Sequence, residues 1–172
     1  MTKFLEGNDD GSRLRIAVVV ADFNSDITSA LLDGCLLTLR DRGVNEDSIT
    51  VAHVPGAFEL PGVCDKFAAS GSYDAVIALG AVIRGDTPHF DYVAGECARG
   101  IMQVMLARKL PVVFGVLTTD TLEQAQLRAS TTDCGISSAD EAGREQKTSR
   151  QSNKGAESAV VALYMSELYA AI

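Results

Sequence analysis

One stretch decides the fold of this chain: residues 75–90, which read AVIALGAVIRGDTPHF. Residues 75–83 are apolar and partly β-branched, as in a strand that is buried on both faces. Gly85 then lets the chain turn. Thr87 is a suitable helix N-cap, and Pro88 suits the first helical position, where the missing N–H of proline costs nothing. The stretch therefore predicts a buried strand, a tight turn and a helix that begins at Pro88.

The predicted turn carries side chains suited to an anion and to proton transfer. The free N–H groups and the positive dipole end of the helix attract an anion, and Arg84 is a candidate donor or counter-charge. His89 can take or give a proton near neutral pH. A plain strand-turn-helix with an exposed histidine explains the same residues equally well. This stretch alone leaves both interpretations open.

Outward from this stretch, the chain alternates strands and helices. The predicted strands are residues 14–20, 49–54, 75–83 and 111–117. The predicted helices start at Ser25 or Asp26 and end near Gly43, cover residues 61–69 and 88–109, follow the capping box that Thr121 forms with Gln124 as far as Ala129, and start at the N-cap Asn153. Four β-α units argue for a parallel sheet with helices on both faces.

The predicted fold class is α/β, a three-layer α/β/α sandwich with a four-stranded parallel sheet and flavodoxin-like, doubly wound topology. We expect a single domain over residues 1–172, with a polar insert at about 130–152, where the pattern is lost. Ligands of such sheets bind outside the carboxyl ends of the strands. Residues 22–24, 55–59, 84–89 and 117–119 follow the four strands and should therefore share one edge.

Composition restricts the function further. The formal net charge of −8 argues against nucleic acid or an anionic membrane as the principal partner. Residues 1–12 are polar and acidic, and the longest purely apolar run, residues 16–21, is far too short to span a bilayer. We expect a soluble, cytoplasmic protein.

No G-x-G-x-x-G follows the first strand and no P-loop motif occurs, so the common nucleotide sites lack support.

The cysteines do not indicate a metal or a disulfide framework. Cys35, Cys64, Cys97 and Cys134 are widely spaced and form no C-x-x-C pair. We expect most of them to be small core residues. Cys97 lies on an apolar stripe with helical spacing, between Val93 and Ile101.

Several segments together resemble the lumazine synthase family of riboflavin biosynthesis. They are residues 22–24 (DFN), 54–61 (VPGAFELP), 80–92 (GAVIRGDTPHFDY), 114–118 (FGVLT), 123–125 (EQA) with Arg128, and 153–155 (NKG). They cover nearly the whole chain in the family's order. The resemblance implies a condensation of 5-amino-6-ribitylaminouracil with 3,4-dihydroxy-2-butanone 4-phosphate, which yields 6,7-dimethyl-8-ribityllumazine and releases phosphate and water.

No metal and no organic cofactor is implied, because the amine of the substrate can itself attack the ketone. A different class of function stays open: a non-catalytic module that binds a flavin- or pterin-like ligand on the same scaffold. A structural cage protein is a third, weaker interpretation. His89 discriminates the first two, since a mere binding module would tolerate its replacement.

The resemblance also implies roles for individual residues. His89 would be the proton carrier, and Phe23 would stack on the pyrimidine. Phe58 and Glu59, with Ala57, would meet the ribityl chain. Backbone groups of residues 81–83, which are Ala81, Val82 and Ile83, would bind the pyrimidine edge. Asp86 and Thr87 would hold the phosphate, Asp86 through its amide.

Phe114 and Arg128 are implied to face the active site of an adjacent subunit, where Arg128 would pair with the phosphate. Lys154 is equally explained as an added positive charge there and as a surface lysine. His53 is more simply explained as a packed histidine than as a catalyst.

The resemblance implies a homopentamer with sites between subunits. Because the insert at 130–152 lengthens a connection that is short in the family, we expect a free homopentamer, with a decamer or an icosahedral shell left open.

Overall fold

The chain forms one parallel sheet covered by helices on both faces. A computed structural model describes residues 1–130 and 153–172. The strands are β1 (Ile16–Ala21), β2 (Ile49–Val54), β3 (Ala75–Ile83) and β4 (Val112–Thr119). The helices are α1 (Ser25–Asp41), α2 (Leu60–Ala69), α3 (His89–Arg108), α4 (Leu122–Ala129) and α5 (Lys154–Ala171), with short 3-10 turns at Glu46–Ser48 and Ala57–Glu59. The predicted insert lies almost wholly outside the described residues, as does Cys134.

The strand order is β2-β1-β3-β4, and every neighbouring pair is parallel. The chain leaves β1 toward β2 and then crosses back to place β3 on the other side of β1. The loops after β1 and β3 therefore diverge and open a crevice between them. The predicted α/β/α sandwich with a four-stranded, doubly wound sheet is confirmed.

Alternation along the strands divides the core into two layers. Val18 and Ile77 pack in the layer that holds α1, α4 and α5, whereas Val19 and Ala78 pack in the layer that holds α2 and α3. Both inner strands are buried on both faces, which explains why their sequences are continuously apolar. Strand β2 is an edge strand and half exposed, so it tolerates the polar residues that β1 and β3 exclude.

Three cysteines are free and buried, as expected: Cys35, Cys64 and Cys97. Burial raises the pKa of Cys35 and of Cys64 to about 12, and that of Cys97 to about 11. These thiols remain protonated at neutral pH, so none supplies a thiolate nucleophile.

Two predicted helix caps are wrong. The N-cap position of helix α1 is Asn24, not Ser25 or Asp26. Asn24 adopts a left-handed conformation with φ of 61°, and its side chain donates to Ala81 O at 2.8 Å instead of capping the helix. Helix α3 begins at His89 with Pro88 as its N-cap, and the Pro88 carbonyl accepts from the Asp91 amide at 3.0 Å. No side chain of the described residues caps α3.

The other predicted helix ends are largely confirmed. Gly43, with φ of 88°, terminates α1 as its glycine predicted. The Thr121 hydroxyl accepts from the Gln124 amide at 3.2 Å, which is half of the predicted capping box. The other half is displaced by one residue, since Gln124 Oε1 accepts from the Asp120 amide instead of that of Thr121.

Asn153 joins three helices and is buried, with a relative exposure of 6%. Its Oδ1 accepts from the amides of Gly155 and Ala156 at the start of α5, as the predicted N-cap requires. Its Nδ2 donates to Ala30 O at 2.9 Å and to Ala129 O at 2.8 Å. One side chain therefore satisfies two helix-end amides and two carbonyls.

The Asn153→Ala variant is expected to lower the free energy of unfolding by about 2–4 kcal/mol, because it removes a cap and leaves two carbonyls without their partner. Urea unfolding followed by circular dichroism measures the change. Asn45→Ala is the matched control: Asn45 caps an exposed 3-10 turn through a single bond to the Asp47 amide, and its loss should cost about 1 kcal/mol or less. Equal losses in the two variants would contradict this role for Asn153.

Candidate active site

A cavity of about 650 Å³ lies at the carboxyl ends of β1 and β3, and we call it the β1–β3 cavity. Three of the four segments that the sequence predicted to share an edge line it. Its lining residues are Phe23, Asn24, Pro55, Gly56, Ala57, Phe58, Glu59, Ala81, Val82, Ile83, Gly85, Thr87, His89, Phe90, Tyr92 and Val93. The cavity therefore occupies the switch point of the sheet, where ligands of doubly wound folds bind.

The backbone of β3 is available in this cavity because β3 outruns β1. The last residue pair between the two strands is Val20 with Leu79, and β3 continues from Gly80 to Ile83 beside β4. Beyond Leu79, the backbone amides and carbonyls of β3 lie outside the residue pairing with β1 in the described part of the chain. One of them is occupied, since Ala81 O accepts the Asn24 side chain. Main-chain groups of this kind can bind the polar edge of a ring.

The aromatic side chains of the cavity are exposed. Phe23 is 71% exposed, Phe58 is 58% exposed and Tyr92 is 69% exposed, whereas Ala57 is buried. Large exposed aromatic rings around a cavity offer apolar faces on which a planar ligand can stack. Tyr92 and Asn24 were absent from the predicted site. Their signals were present, because both belong to the segments that carried the family resemblance.

The polar residues of the β3–α3 loop lie on the same side. Thr87 and His89 line the cavity and are exposed, and Asp86 stands between the lining residues Gly85 and Thr87 without lining the cavity itself. Since the Thr87 hydroxyl is not used as a helix cap, it remains available to a ligand. The amide end of α3 is directed at this loop, which favours an anion there.

From the sequence, Arg84 was a candidate donor or counter-charge for a bound anion. In the structure it does not line the cavity, and its charge is already paired. Its Nε donates to Asp120 Oδ1 at 2.9 Å and its Nη1 to Asp91 Oδ1 at 3.2 Å. Hydrogen bonding to Asp120, aided by the charge of Asp91, raises the pKa of Arg84 above its ordinary value. The guanidinium is thus engaged by two carboxylates.

Phe114, Arg128 and Lys154 lie elsewhere, in a second cavity of about 550 Å³ between β4 and α5, which we call the β4–α5 cavity. Leu117 and Thr118 also line this cavity, so the fourth predicted segment does not join the other three. Arg128 is exposed, and its Nη1 donates to Gln124 O at 3.2 Å. Lys154 pairs with Glu157 at 2.5 Å, which offsets its charge. Within one chain, Arg128 and His89 therefore line different cavities.

His53 is not a packed histidine. Its side chain is 58% exposed, and its Nδ1 lies 2.7 Å from Asp22 Oδ1 across the β1–β2 pair. The prediction failed because β2 is an edge strand, and Thr50, Val51 and His53 of this strand are all exposed. His53 lines neither of the two cavities.

The described residues contain no group of three or more His, Cys, Asp or Glu side chains that could hold a metal ion. Within the same part of the chain, no helix has the length and apolar character needed to cross a membrane.

These features define a class: a flavodoxin-like α/β protein whose cavity at the sheet switch point combines exposed aromatic rings, strand-end backbone groups and a histidine at a helix start. The comparison with known proteins specifies the family. The sequence model of the 6,7-dimethyl-8-ribityllumazine synthase family matches residues 13–170 of the chain. The chain belongs to this family of transferase-type enzymes of riboflavin biosynthesis, and the resemblance drawn from its motifs is confirmed.

Proposed function

We propose that this protein condenses 5-amino-6-ribitylaminouracil with 3,4-dihydroxy-2-butanone 4-phosphate to form 6,7-dimethyl-8-ribityllumazine, with release of phosphate and water. The observation that carries the proposal is the convergence of Phe23, Thr87 and His89 on one cavity in a chain of this family. The amine of the pyrimidine supplies the nucleophile, and the protein contributes position and proton transfer.

In the proposed complex the pyrimidine stacks on Phe23. Its polar edge binds backbone groups of Ala81, Val82 and Ile83, which belong to the part of β3 that extends beyond β1. The ribityl chain runs along Ala57 and Phe58, and Glu59 accepts hydrogen bonds from its hydroxyls. The lining of the cavity supports this placement, since these residues surround one volume.

The phosphate of the ketone lies at the start of α3 in this proposal. The amide of Asp86 and the hydroxyl of Thr87 donate to it, and His89 transfers protons during imine formation and phosphate departure. Arg84 is held by its two carboxylates, so a further cation is needed. Arg128 has the required charge but lies in the other cavity of its own chain.

We infer that the active site forms between subunits of a homopentamer, with the β4–α5 cavity of one subunit facing the β1–β3 cavity of the next. Phe114 and Arg128 would then complete the site of the neighbour, and Lys154 would lie nearby. Exposed apolar side chains support self-association: on α3, Tyr92 is 69% exposed and Leu106 is 67% exposed. A single family model spans residues 13–170, which supports one domain.

A direct assay tests the reaction. The purified protein is mixed with the two substrates, and formation of the fluorescent lumazine is followed with time. We expect turnover that requires both substrates and releases inorganic phosphate in step with the lumazine. Binding of the pyrimidine without any product would contradict the enzyme and favour a ligand-binding module.

A further inference from the structure

Arg84 lies at the junction of three elements that surround the proposed site. It is the first residue after β3, and its amide donates to Thr119 O at the end of β4 at 2.9 Å. Its guanidinium bonds to Asp91 in the first turn of α3 and to Asp120 between β4 and α4. The guanidinium carbon also lies 4.1 Å from the centre of the Phe90 ring. A planar cation with several donors suits such a junction, because it can bridge two carboxylates and stack on a ring at once.

On one side, these contacts fix the turn that carries His89. Phe90 and Asp91 follow His89 directly, and Arg84 contacts both of them. The Asp91 amide donates to Pro88 O, so Asp91 also closes the turn at the end of the β3–α3 loop. No side chain of the described residues caps this end of α3. The contacts of Arg84 therefore replace a cap as the restraint on the loop.

On the other side, the contacts reach the helix that carries Arg128. The amide of Asp120 donates to Gln124 Oε1 at 2.9 Å, and the carbonyl of Gln124 accepts from Arg128 Nη1 at 3.2 Å. Asp120 and Thr121 together hold the first turn of α4 through Gln124. A continuous set of bonds thus runs from Arg84 to Arg128.

We propose that Arg84 is a positioning residue of the condensation: it sets the β3–α3 loop and His89 of its own site and, through Asp120 and α4, the orientation of Arg128 that serves the neighbouring site. This role rests on the proposed function, because it concerns how the phosphorylated ketone is held. Arg84 itself need not touch the phosphate. Its effect is transmitted to two sites of the assembly, one on each side of the subunit.

Kinetics of four variants test the role: Arg84→Gln, Arg84→Lys, Asp120→Asn and the control Arg40→Gln. Arg84→Gln should raise the KM of the phosphorylated ketone and lower kcat, each by about 10-fold, because small misplacements of binding groups are costly. The KM of the pyrimidine should change less than about twofold. Arg40→Gln removes a similar exposed arginine, which pairs with Glu46 away from both cavities. This variant should leave kcat and the KM of each substrate unchanged.

The lysine and asparagine variants separate positioning from direct phosphate binding. A lysine ammonium is a point charge without the planar fork that reaches Asp91 and Asp120 while it stacks on Phe90, so Arg84→Lys should be almost as impaired as Arg84→Gln. Asp120→Asn removes a negative charge, which by charge alone would favour an anionic substrate, but it weakens the bond to Arg84, and we expect it to raise the KM of the ketone. If Arg84→Lys keeps full activity, or if Asp120→Asn lowers that KM, the positioning role is wrong.

Hydrogen exchange supplies a readout that does not depend on turnover. In the folded Arg84→Gln protein, amides of residues 85–91 and 120–128 should exchange faster than in the unchanged protein, while those of β1 stay protected. If the unchanged protein forms no lumazine, the proposed function fails, and the exchange data then test only whether Arg84 holds the two segments in place. Unchanged exchange in both segments would overturn the role of Arg84, whether or not the protein is an enzyme.

Discussion

The His89→Gln variant is expected to form lumazine about 10²-fold more slowly than the unchanged protein, with the KM of each substrate within a few-fold of its original value. His89 begins α3 and lines the β1–β3 cavity, where it is exposed to a ligand. Glutamine preserves much of the size and hydrogen bonding of histidine but cannot carry a proton, so the loss falls on kcat. Steady-state rates with each substrate varied in turn measure the effect.

The second histidine of the chain supplies the matched control. His53 is exposed, pairs with Asp22 on the edge strand and lines neither cavity. His53→Gln should therefore retain full turnover. If both variants lose the same activity, the effect is not specific to the cavity. If His89→Gln turns over as fast as the unchanged protein, His89 is not the proton carrier.

Arg128→Ala is expected to raise the KM of the phosphorylated ketone by about 10- to 100-fold and to spare the KM of the pyrimidine. A charge-assisted bond to a phosphate contributes about 1.5–3 kcal/mol, and each 1.36 kcal/mol corresponds to a tenfold change. The same steady-state measurements apply. If the variant keeps the original KM for the ketone but has a raised KM for the pyrimidine, the proposed assignment of the two substrates to parts of the pocket is wrong.

Mixed assemblies test whether Arg128 acts in the site of a neighbour. His89→Gln and Arg128→Ala subunits are each poorly active alone, but a site at their junction can combine an intact His89 with an intact Arg128. Random mixing of equal amounts should restore about a quarter of the normal sites, since each site draws one half from each of two subunits. Activity no greater than the mean of the two separate variants would place the complete site within one chain.

The elements of the fold were largely readable from local sequence. Strands β2 and β3 have the predicted bounds, because apolar runs between turn residues mark buried strands. The cap of α5 at Asn153 was also correct, since its acceptor bonds are made within its own turn. The two wrong caps have a common origin in contacts and turns that the local pattern does not specify. Asn24 reaches across the sheet to Ala81, and the turn at Pro88 delays α3 by one residue.

The candidate site was predictable where its residues follow strands and unpredictable where packing selects their partners. The loops after β1, β2 and β3 meet at one cavity, as the rule for parallel sheets requires. The pairing of the Arg84 guanidinium was not predictable, because its partners Asp91 and Asp120 belong to different parts of the fold. His53 was misjudged because the strand order, which places β2 at the edge of the sheet, is set by tertiary packing.

By itself, the sequence determined the family, the order of strands and helices, and the residues that follow each strand. Periodicity, capping and turn chemistry are properties of neighbouring residues, so they can be read directly from the chain. The tertiary structure decided which of those residues meet: it gathers Phe23, Thr87 and His89, sets Phe114 and Arg128 apart in a second cavity, and places Arg84 between two carboxylates. Such choices depend on strand order and on packing between elements distant in sequence, which no local pattern encodes.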